Sequence, residues 1–353
     1  MNIRNALLGS AAVVGAAAVV VPSTAAAFDV DIDGRYRFDT VVGDLDEALN
    51  SREQLAAGTN LRRSYDFAHN ARFRVRAAQV DDETGIRYGT LLTINTQNND
   101  FNVGAAYLFV DGAFGGLRFG DDDGAADNSK VTAANIAAGT GGIDGAGAVS
   151  TVDFFHIDSG LSTKIRYDSP SIAGFTLHGS FTPNAGTRGS TIKSKAADQY
   201  EDWVELALVY TGSFGDLDLQ AGGTYSFNQG KRGVDDFQGF NLGAVVGFQG
   251  FRIAGNYWEE DDSPTGIGGA RNDRKGYALA AAASLGPADL SISWADIVDA
   301  DSNEEGQNLV LSATMGLLPG LTLEGDVSFF DRDLQGTGSD DGVAGVVRLN
   351  LNF

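Results

Sequence analysis

A stretch of alternating residues in the middle of the chain decides the fold class: residues 216–225 read DLDLQAGGTY. In an extended chain, Leu217 and Leu219 fall on one side, whereas Asp218 and Gln220 fall on the other. A period of two residues is the signature of a β-strand with one apolar face and one polar face. The stretch therefore predicts a sheet whose two faces meet different surroundings.

The same alternation recurs along the chain and reaches its last residues. It is clear in residues 175–181, 204–210 and 321–329. It appears again in residues 347–353, which finish on the aromatic Phe353. We therefore expect an all-β protein with strands along the chain, rather than a single hairpin attached to a different fold.

Short and long connections alternate between the predicted strands. Tight turns are predicted at residues 82–85, 112–116, 169–170, 212–215, 249–250, 286–287 and 319–320. Longer polar connections are predicted at residues 43–66, 96–100, 120–160, 183–197, 228–236, 259–273, 299–306 and 331–341. This alternation predicts an antiparallel β-barrel of about 16 strands, an even number, with all its tight turns at one end.

The N-terminal residues 1–27 have the pattern of a secretory signal peptide. A basic residue, Arg4, precedes a long apolar run, and the small residues Ala25 and Ala27 form a cleavage pattern. We expect the mature protein to begin at Phe28 and to act outside the cytoplasm.

Composition narrows the class of exported protein. The chain has 353 residues and no cysteine, so an exported fold of this size must be stabilised by its hydrogen-bonded framework rather than by disulfides. No apolar run beyond the signal peptide approaches the roughly 20 residues of a membrane helix. The net charge of -22 argues against nucleic-acid partners, which need a basic surface. A transmembrane β-barrel over residues 28–353 fits all three observations.

Arginines at strand spacing indicate which face is wet. Arg72, Arg74 and Arg76 alternate with Phe73 and Val75, so the three guanidinium groups share one face. At a separation of roughly 7 Å, the repulsion per pair is about 0.6 kcal/mol in water and about 2.4 kcal/mol at an effective dielectric constant of 20. Burial in a dry core would add a desolvation cost. The arginine face therefore predicts contact with water, and the apolar face predicts contact with lipid.

Residues 115–120 read GGLRFG and are followed by three aspartates, and residues 165–175 read IRYDSPSIAGF. These two segments resemble the Gram-negative general-diffusion porin family, and its alphaproteobacterial members in particular. The terminal Phe353 also resembles the recognition signal of outer-membrane assembly. The resemblance implies a 16-stranded barrel in the bacterial outer membrane, surrounded by lipid and lipopolysaccharide and assembled as a homotrimer. It also implies that a third loop, residues 120–160 here, folds into the lumen and forms a constriction.

This resemblance leads to a predicted constriction with a basic wall and an acidic loop. The basic wall comprises Arg35, Arg37, Arg72, Arg74, Arg76, Arg87 and Arg118. The acidic side comprises Asp121, Asp122, Asp123, Asp127, Asp144, Asp153 and Asp158. A transverse field between them would favour small polar or charged solutes over apolar ones. The alternative is that the arginines form surface ladders balanced by neighbouring carboxylates.

The sequence contains no convincing catalytic or metal-binding constellation. The residues DVDIDG at 29–34 match the start of a calcium-binding loop, but position twelve holds Thr40 instead of glutamate. His69, His156 and His178 lack metal-ligand spacing, and the chain has no thiol. We expect no enzyme activity, no cofactor and no metal, and instead a channel for passive diffusion of small hydrophilic solutes and ions.

Three alternatives remain open at the sequence level. A solute-selective porin could use His156 or Arg252 in a binding site within the same barrel. An outer-membrane hydrolase would need a serine, a histidine and a third polar group to converge, for which His178 and Ser180 offer a weak start. A soluble periplasmic sheet protein would bury the apolar faces instead and would purify without detergent.

Overall fold

The computed structural model describes most of the chain after the predicted signal peptide. The described residues are 28–43, 65–97, 100–186, 188–189, 200–230, 235–263, 272–299, 304–334 and 338–353. The predicted signal peptide, residues 1–27, lies outside them, as do parts of the predicted long connections.

Sixteen β-strands account for most of the described residues. They are β1 (Asp29–Gly43), β2 (Tyr65–Val80), β3 (Arg87–Gln97), β4 (Asp100–Gly112), β5 (Gly115–Asp122), β6 (Ser162–Asp168), β7 (Phe175–Thr182), β8 (Tyr200–Phe214), β9 (Leu217–Gly230), β10 (Phe237–Phe248), β11 (Phe251–Ser263), β12 (Asn272–Leu285), β13 (Ala288–Asp299), β14 (Glu304–Leu318), β15 (Leu321–Leu334) and β16 (Gly338–Asn352). Between β5 and β6 lie a short helix, α1 (Ala125–Asn128), and two 3₁₀ helices (Ala133–Ile136 and Gly142–Asp144). None of the helices in the described ranges has the length and apolar character needed to cross a membrane.

The strands form one closed antiparallel barrel. Each strand pairs with its neighbours in sequence, and β1 pairs with β16 to close the sheet. The C-terminal Phe353 completes the closure, because its backbone N–H donates to the carbonyl of Gly34 at 3.0 Å and its carbonyl accepts from the Gly34 N–H at 2.8 Å. Closure gives each of the described strands a hydrogen-bonded neighbour on both sides. The predicted 16-stranded antiparallel barrel is confirmed.

The tight turns lie where the alternation places them, but one predicted long connection is wrong. Residues 96–100 were expected to form a longer polar connection, whereas β3 ends at Gln97 and β4 begins at Asp100. Thr96, Gln97 and Asp100 belong to the strands, and Thr96 accepts a hydrogen bond from the Ala71 N–H of β2 at 3.0 Å. In a barrel with a polar face, a run of polar residues does not by itself mark a loop.

Exposure along the strands is inverted relative to a soluble sheet protein. In β10, Leu242 is 59% exposed, whereas its neighbour Asn241 is fully buried. In β9, Tyr225 is 40% exposed beside the fully buried Ser226. We call the side that carries Leu242 and Tyr225 the apolar face, and the other side the polar face. Large exposed side chains on the apolar face of successive strands require an apolar environment, as in membrane barrels.

Apolar packing is concentrated where the chain between β5 and β6 meets the polar face. We call residues 123–161 the β5–β6 segment. Its Ile136, Ile143 and Phe154 pack with small residues of β11, β12 and β13, among them Ala278 and Ala295. Alanines at these strand positions leave room for the bulkier side chains of the segment.

Candidate functional site

The first half of the β5–β6 segment, which runs up to Gly139, crosses the polar face from β8 to β14. The Ala126 N–H donates to Oε2 of Glu205 on β8 at 2.9 Å. The Ala133 N–H then donates to Oδ1 of Asn256 on β11 at 3.0 Å. Further along, the Gly139 N–H donates to Oγ1 of Thr314 on β14 at 2.8 Å.

The second half of the segment, which we call the returning half, crosses the same strands in the opposite direction. Asn308 on β14 donates from Nδ2 to the carbonyl of Val149 at 2.6 Å. The Ile157 N–H donates to Oε2 of Glu260 on β11 at 2.8 Å. A segment with little regular structure must satisfy its backbone donors and acceptors with other groups, and side chains of the barrel supply the partners.

The tip of the segment is held at β15. Thr140 donates from both its N–H and its hydroxyl to Oδ2 of Asp326, with the N–H at 2.8 Å. The preceding Gly139 has φ = +66°, and a Cβ there would lie 2.0 Å from Oδ1 of Asp326. Only glycine allows both this backbone conformation and this close approach.

Glu205 joins the two ends of the segment. This fully buried carboxylate accepts the Ala126 N–H through Oε2 and the Ser159 N–H through Oε1, at 2.9 and 2.8 Å. Gly124 lies against it, because a Cβ on Gly124 would fall 1.8 Å from Oε2. Charge-assisted hydrogen bonds to backbone N–H groups are about twice as strong as neutral ones.

Six of the seven residues of the predicted basic wall lie on β1–β3, on the part of the polar face that the segment leaves bare, and the seventh, Arg118, lies on β5. Within the described residues, the segment forms no hydrogen bond to β16 or to β1–β4. There Arg35 lies opposite Arg72, and Arg74 lies opposite Asp33. These arginines alternate with exposed aromatic residues of the apolar face such as Tyr36. The structure thus collects the arginines of β1 and β2 on one bare surface.

The arginines of this wall differ in whether a carboxylate neutralises them. Arg74 pairs with Asp33 at 2.7 Å, and Arg118 pairs with Asp111 at 2.6 Å. Five others have neither an ion pair nor a hydrogen-bond acceptor among the described residues: Arg35, Arg37, Arg72, Arg76 and Arg87. These five unpaired arginines carry the net positive charge of the basic wall.

A buried aromatic ring organises the remaining arginines. The guanidinium carbons of Arg76, Arg87 and Arg118 lie 6.0, 5.3 and 5.7 Å from the ring centroid of Phe109. Phe109 is only 3% exposed. The ring gives these cations a favourable surface without neutralising their charge.

Three of the predicted acidic residues have partners away from the bare wall. Asp121 and Asp122 are neighbours on β5, so their side chains point to opposite faces. Asp121 lies on the apolar face, where it accepts a hydrogen bond from the Thr163 hydroxyl. Asp122 pairs with Arg166 of β6 at 2.8 Å. Asp153 pairs with Arg274 of β12.

The other predicted acidic residues lie on or next to α1 and the returning half of the segment. Asp127 pairs with Lys130 at 2.5 Å, and Asp144 and Asp158 interact electrostatically with the same ammonium group. Burial, together with the nearby carboxylates Glu205 and Asp127, raises the pKa of Asp158 to about 7. Burial also raises the pKa of Asp123.

Sequence reasoning missed several charged groups, among them Arg166, Arg348, Lys130 and Glu205. Arg166 and Arg348 belong to the polar face, with Arg348 bonded to Asp39 at 2.6 Å. Lys130 and Glu205 hold the segment together. The period-two pattern could have found both arginines, since Arg348 alternates with apolar residues of the last strand.

The alternative sites named from the sequence are not assembled within the described residues. His156 bonds through Nε2 to Thr224 at 2.8 Å, and burial lowers its pKa to about 4. Arg252 lies near the tight turn between β10 and β11, at the end of β11 opposite to Glu260. His178 bonds to Asp168 at 2.8 Å, but the Ser180 hydroxyl bonds elsewhere, accepting the Ala125 N–H at 2.9 Å.

The candidate calcium-binding residues also have a different role. Residues 29–34 belong to the extended strand β1 rather than to a loop. Among the described residues, no group of three or more His, Cys, Asp or Glu side chains is arranged to hold a metal ion.

Comparisons with known proteins give one family and one fold. The sequence profile of a family described as Gram-negative porin matches residues 11–335. A variant of the Rhodobacter blastica porin superposes with a TM-score of 0.65 at 14% identity, over 92% of this chain and 100% of that chain. A variant of OmpT, an outer-membrane protein of Vibrio cholerae, superposes with a TM-score of 0.66 at 13% identity, over 93% and 100%. No curated protein matches the sequence.

Proposed function

The chain belongs to the Gram-negative porin family of outer-membrane channels, and we propose that small hydrophilic solutes and ions diffuse passively through its bore. The observation that carries this proposal is the bare arginine surface on β1–β3, left uncovered by a segment that crosses only the opposite part of the polar face. Family and fold are those of non-enzymatic channels.

The distribution of charge supports a water-filled interior. Unpaired arginines such as Arg35 and Arg72 are costly in hydrocarbon, whereas Leu242 and Tyr225 are favourable there. The polar face therefore lines the bore and the apolar face meets lipid and lipopolysaccharide. On this assignment the β5–β6 segment lies inside the barrel and narrows it.

We assign the narrowest part of the bore to the gap between the segment and the bare wall. The basic side consists of the arginines of β1–β3 together with Arg118. The acidic side consists chiefly of Asp127, Asp144 and Asp158, because these three carboxyl groups share the single ammonium group of Lys130, whereas Asp121, Asp122 and Asp153 have partners on the strands. Charges that are kept apart in this way produce a transverse field, which orders water and disfavours apolar solutes.

Reconstitution into planar lipid bilayers tests the function. We expect stepwise conductance increases whose size rises linearly with potassium chloride concentration, and swelling of liposomes in solutions of small sugars. Heat-denatured protein is the control. A folded, detergent-purified barrel that inserts without conducting would reject the proposal, and so would a folded protein that stays soluble without detergent.

The assembly state is a separate proposal. We propose a homotrimer, as the resemblance to general-diffusion porins implies. Chemical crosslinking in detergent, followed by electrophoresis with and without heating, should give a heat-sensitive band at three times the monomer mass. A folded protein that remains a monomer at all crosslinker concentrations would contradict it.

A further inference from the structure

We propose that Arg35, Arg37 and Arg72 form a binding site for multiply charged oxyanions, such as phosphate or a dicarboxylate. The inference rests on the proposed function, since it places this site in the bore. It goes further by assigning the channel a saturable preference for one chemical class of solute.

The sheet register brings the three guanidinium groups together. Arg35 on β1 lies directly opposite Arg72 on β2, and Arg37 follows two residues later on the same face. Directly opposite residues of an antiparallel pair have Cβ atoms about 4.5–5.5 Å apart. Two long cationic side chains thus start from adjacent positions without an intervening carboxylate.

Donor groups in this cluster are left unused. The Nε atoms of Arg35 and Arg37 are buried and have no hydrogen-bond partner. Arg72 has neither an ion pair nor a hydrogen bond among the described residues. A buried donor without a partner carries a desolvation cost, which a bound acceptor would remove.

The carboxylates around the cluster form their ion pairs with other arginines. Asp33 is paired with Arg74, and Asp39 is paired with Arg348. Glu324 lies 3.8 Å from the same Arg348 guanidinium. The positions directly opposite Arg37 are the neutral Asn70 and Asn350, and Asn352 lies opposite Arg35 on β16. Each of these carboxylates therefore already has an arginine partner, although Asp39 and Glu324 share Arg348.

The chemistry of guanidinium selects the ligand class. Its planar fork matches two oxygens of a carboxylate or phosphate, whereas chloride offers no such geometry. Three unpaired cations favour an anion with two or more charges over a singly charged one. The cations around Phe109 are a poorer site, because Arg118 is paired with Asp111.

The test measures block of channel current by phosphate. Wild-type channels are recorded in potassium chloride at low fixed ionic strength while phosphate, or succinate in a parallel series, is added. We expect the chloride current to fall to a plateau with a defined half-saturating concentration. In the double variant Arg35→Gln/Arg72→Gln, that concentration should rise about tenfold or more.

Two further variants separate a site from a general field. Arg35→Lys/Arg72→Lys keeps both positive charges but removes the planar guanidinium fork, so the half-saturating concentration should still rise. Lys275→Gln removes one positive charge from the apolar face of β12 and should change nothing.

Clear outcomes would overturn the site. Block by either oxyanion supports it, whereas current unaffected by both in a conducting wild-type channel rejects it. An unchanged half-saturating concentration in Arg35→Gln/Arg72→Gln also rejects it, provided that the heat-modifiable band on gels shows a folded barrel. Absence of any conductance in potassium chloride would instead reject the proposed function, and the site with it.

Discussion

Ser159 donates its backbone N–H to Oε1 of the buried Glu205 at 2.8 Å, while the other oxygen of the same carboxylate holds Ala126 at 2.9 Å. Residues at the two ends of the β5–β6 segment thus share one side chain of β8. This arrangement makes the position of the whole segment sensitive to one carboxylate.

Replacement Glu205→Gln should loosen the segment. The amide keeps the size of the side chain but has one acceptor oxygen, so one of the two N–H groups loses its partner and faces an NH₂ donor. We expect a loss of about 1–3 kcal/mol in the free energy of unfolding and noisier single-channel currents. Denaturant titration in detergent and bilayer recording measure these effects.

The matched control for this change is Glu83→Gln, in the exposed turn between β2 and β3. It removes the same charge at a site without contact to the segment. Equal effects of the two substitutions on current noise would show that Glu205 does not anchor the segment.

Replacement Gly139→Ala should displace the tip of the segment from β15. The positive φ and the close approach to Asp326 make any side chain unfavourable, at about 1–3 kcal/mol for strain of this kind. We expect faster proteolysis within the segment and a lower unfolding midpoint. Gly147→Ala is the control, since a Cβ there meets no atom within 4 Å. A wild-type cleavage rate in Gly139→Ala would contradict this account of the tip.

The faces of the strands could be predicted from sequence because they depend on local periodicity. Asn241 and Leu242 differ in exposure for the same reason that Arg72 and Phe73 do: consecutive side chains point to opposite sides. The same rule could have excluded one member of the Asp121–Asp122 pair from the bore. Strand count and turn positions followed from the same pattern.

The pairing of individual charges could not be predicted in this way. Whether Arg74 meets Asp33 or another arginine depends on the register between β1 and β2, which is set by the whole barrel. The anchors of the segment are also remote in sequence, because Glu205 holds Ala126 and Asp326 holds Thr140. No local motif encodes such contacts.

Replacement Arg74→Glu should shift the ion preference of the channel toward cations. The change removes a cation from the bare wall and places a new carboxylate beside Asp33, its present partner. An interaction of about 0.6 kcal/mol between charges at roughly 7 Å in water corresponds to a change of about threefold in relative permeability. The reversal potential under a potassium chloride gradient measures the shift. An unchanged reversal potential would remove Arg74 from the constriction.

Ion preference should also depend on pH near neutrality, because the pKa of Asp158 is raised to about 7. Below that pH the carboxyl group is neutral, and above it the segment gains a negative charge, which the proposed function places opposite the arginines. Cation permeability relative to chloride should therefore rise as the pH increases through about 7, and Asp158→Asn should remove this step while leaving the conductance at low pH unchanged.

The same titration has a defined sign for stability. A carboxyl group whose pKa is higher in the folded state than in the unfolded state binds its proton more tightly when folded, so ionisation disfavours the fold. Its stabilising contribution is present below the ordinary aspartate pKa and is lost as the pH rises toward 7. Wild-type protein should accordingly lose unfolding free energy over this interval relative to Asp158→Asn. If the unfolding free energies of the two proteins changed by the same amount from acidic to mildly alkaline pH, Asp158 would be an ordinary exposed carboxylate. That result would withdraw Asp158 from the acidic side of the constriction.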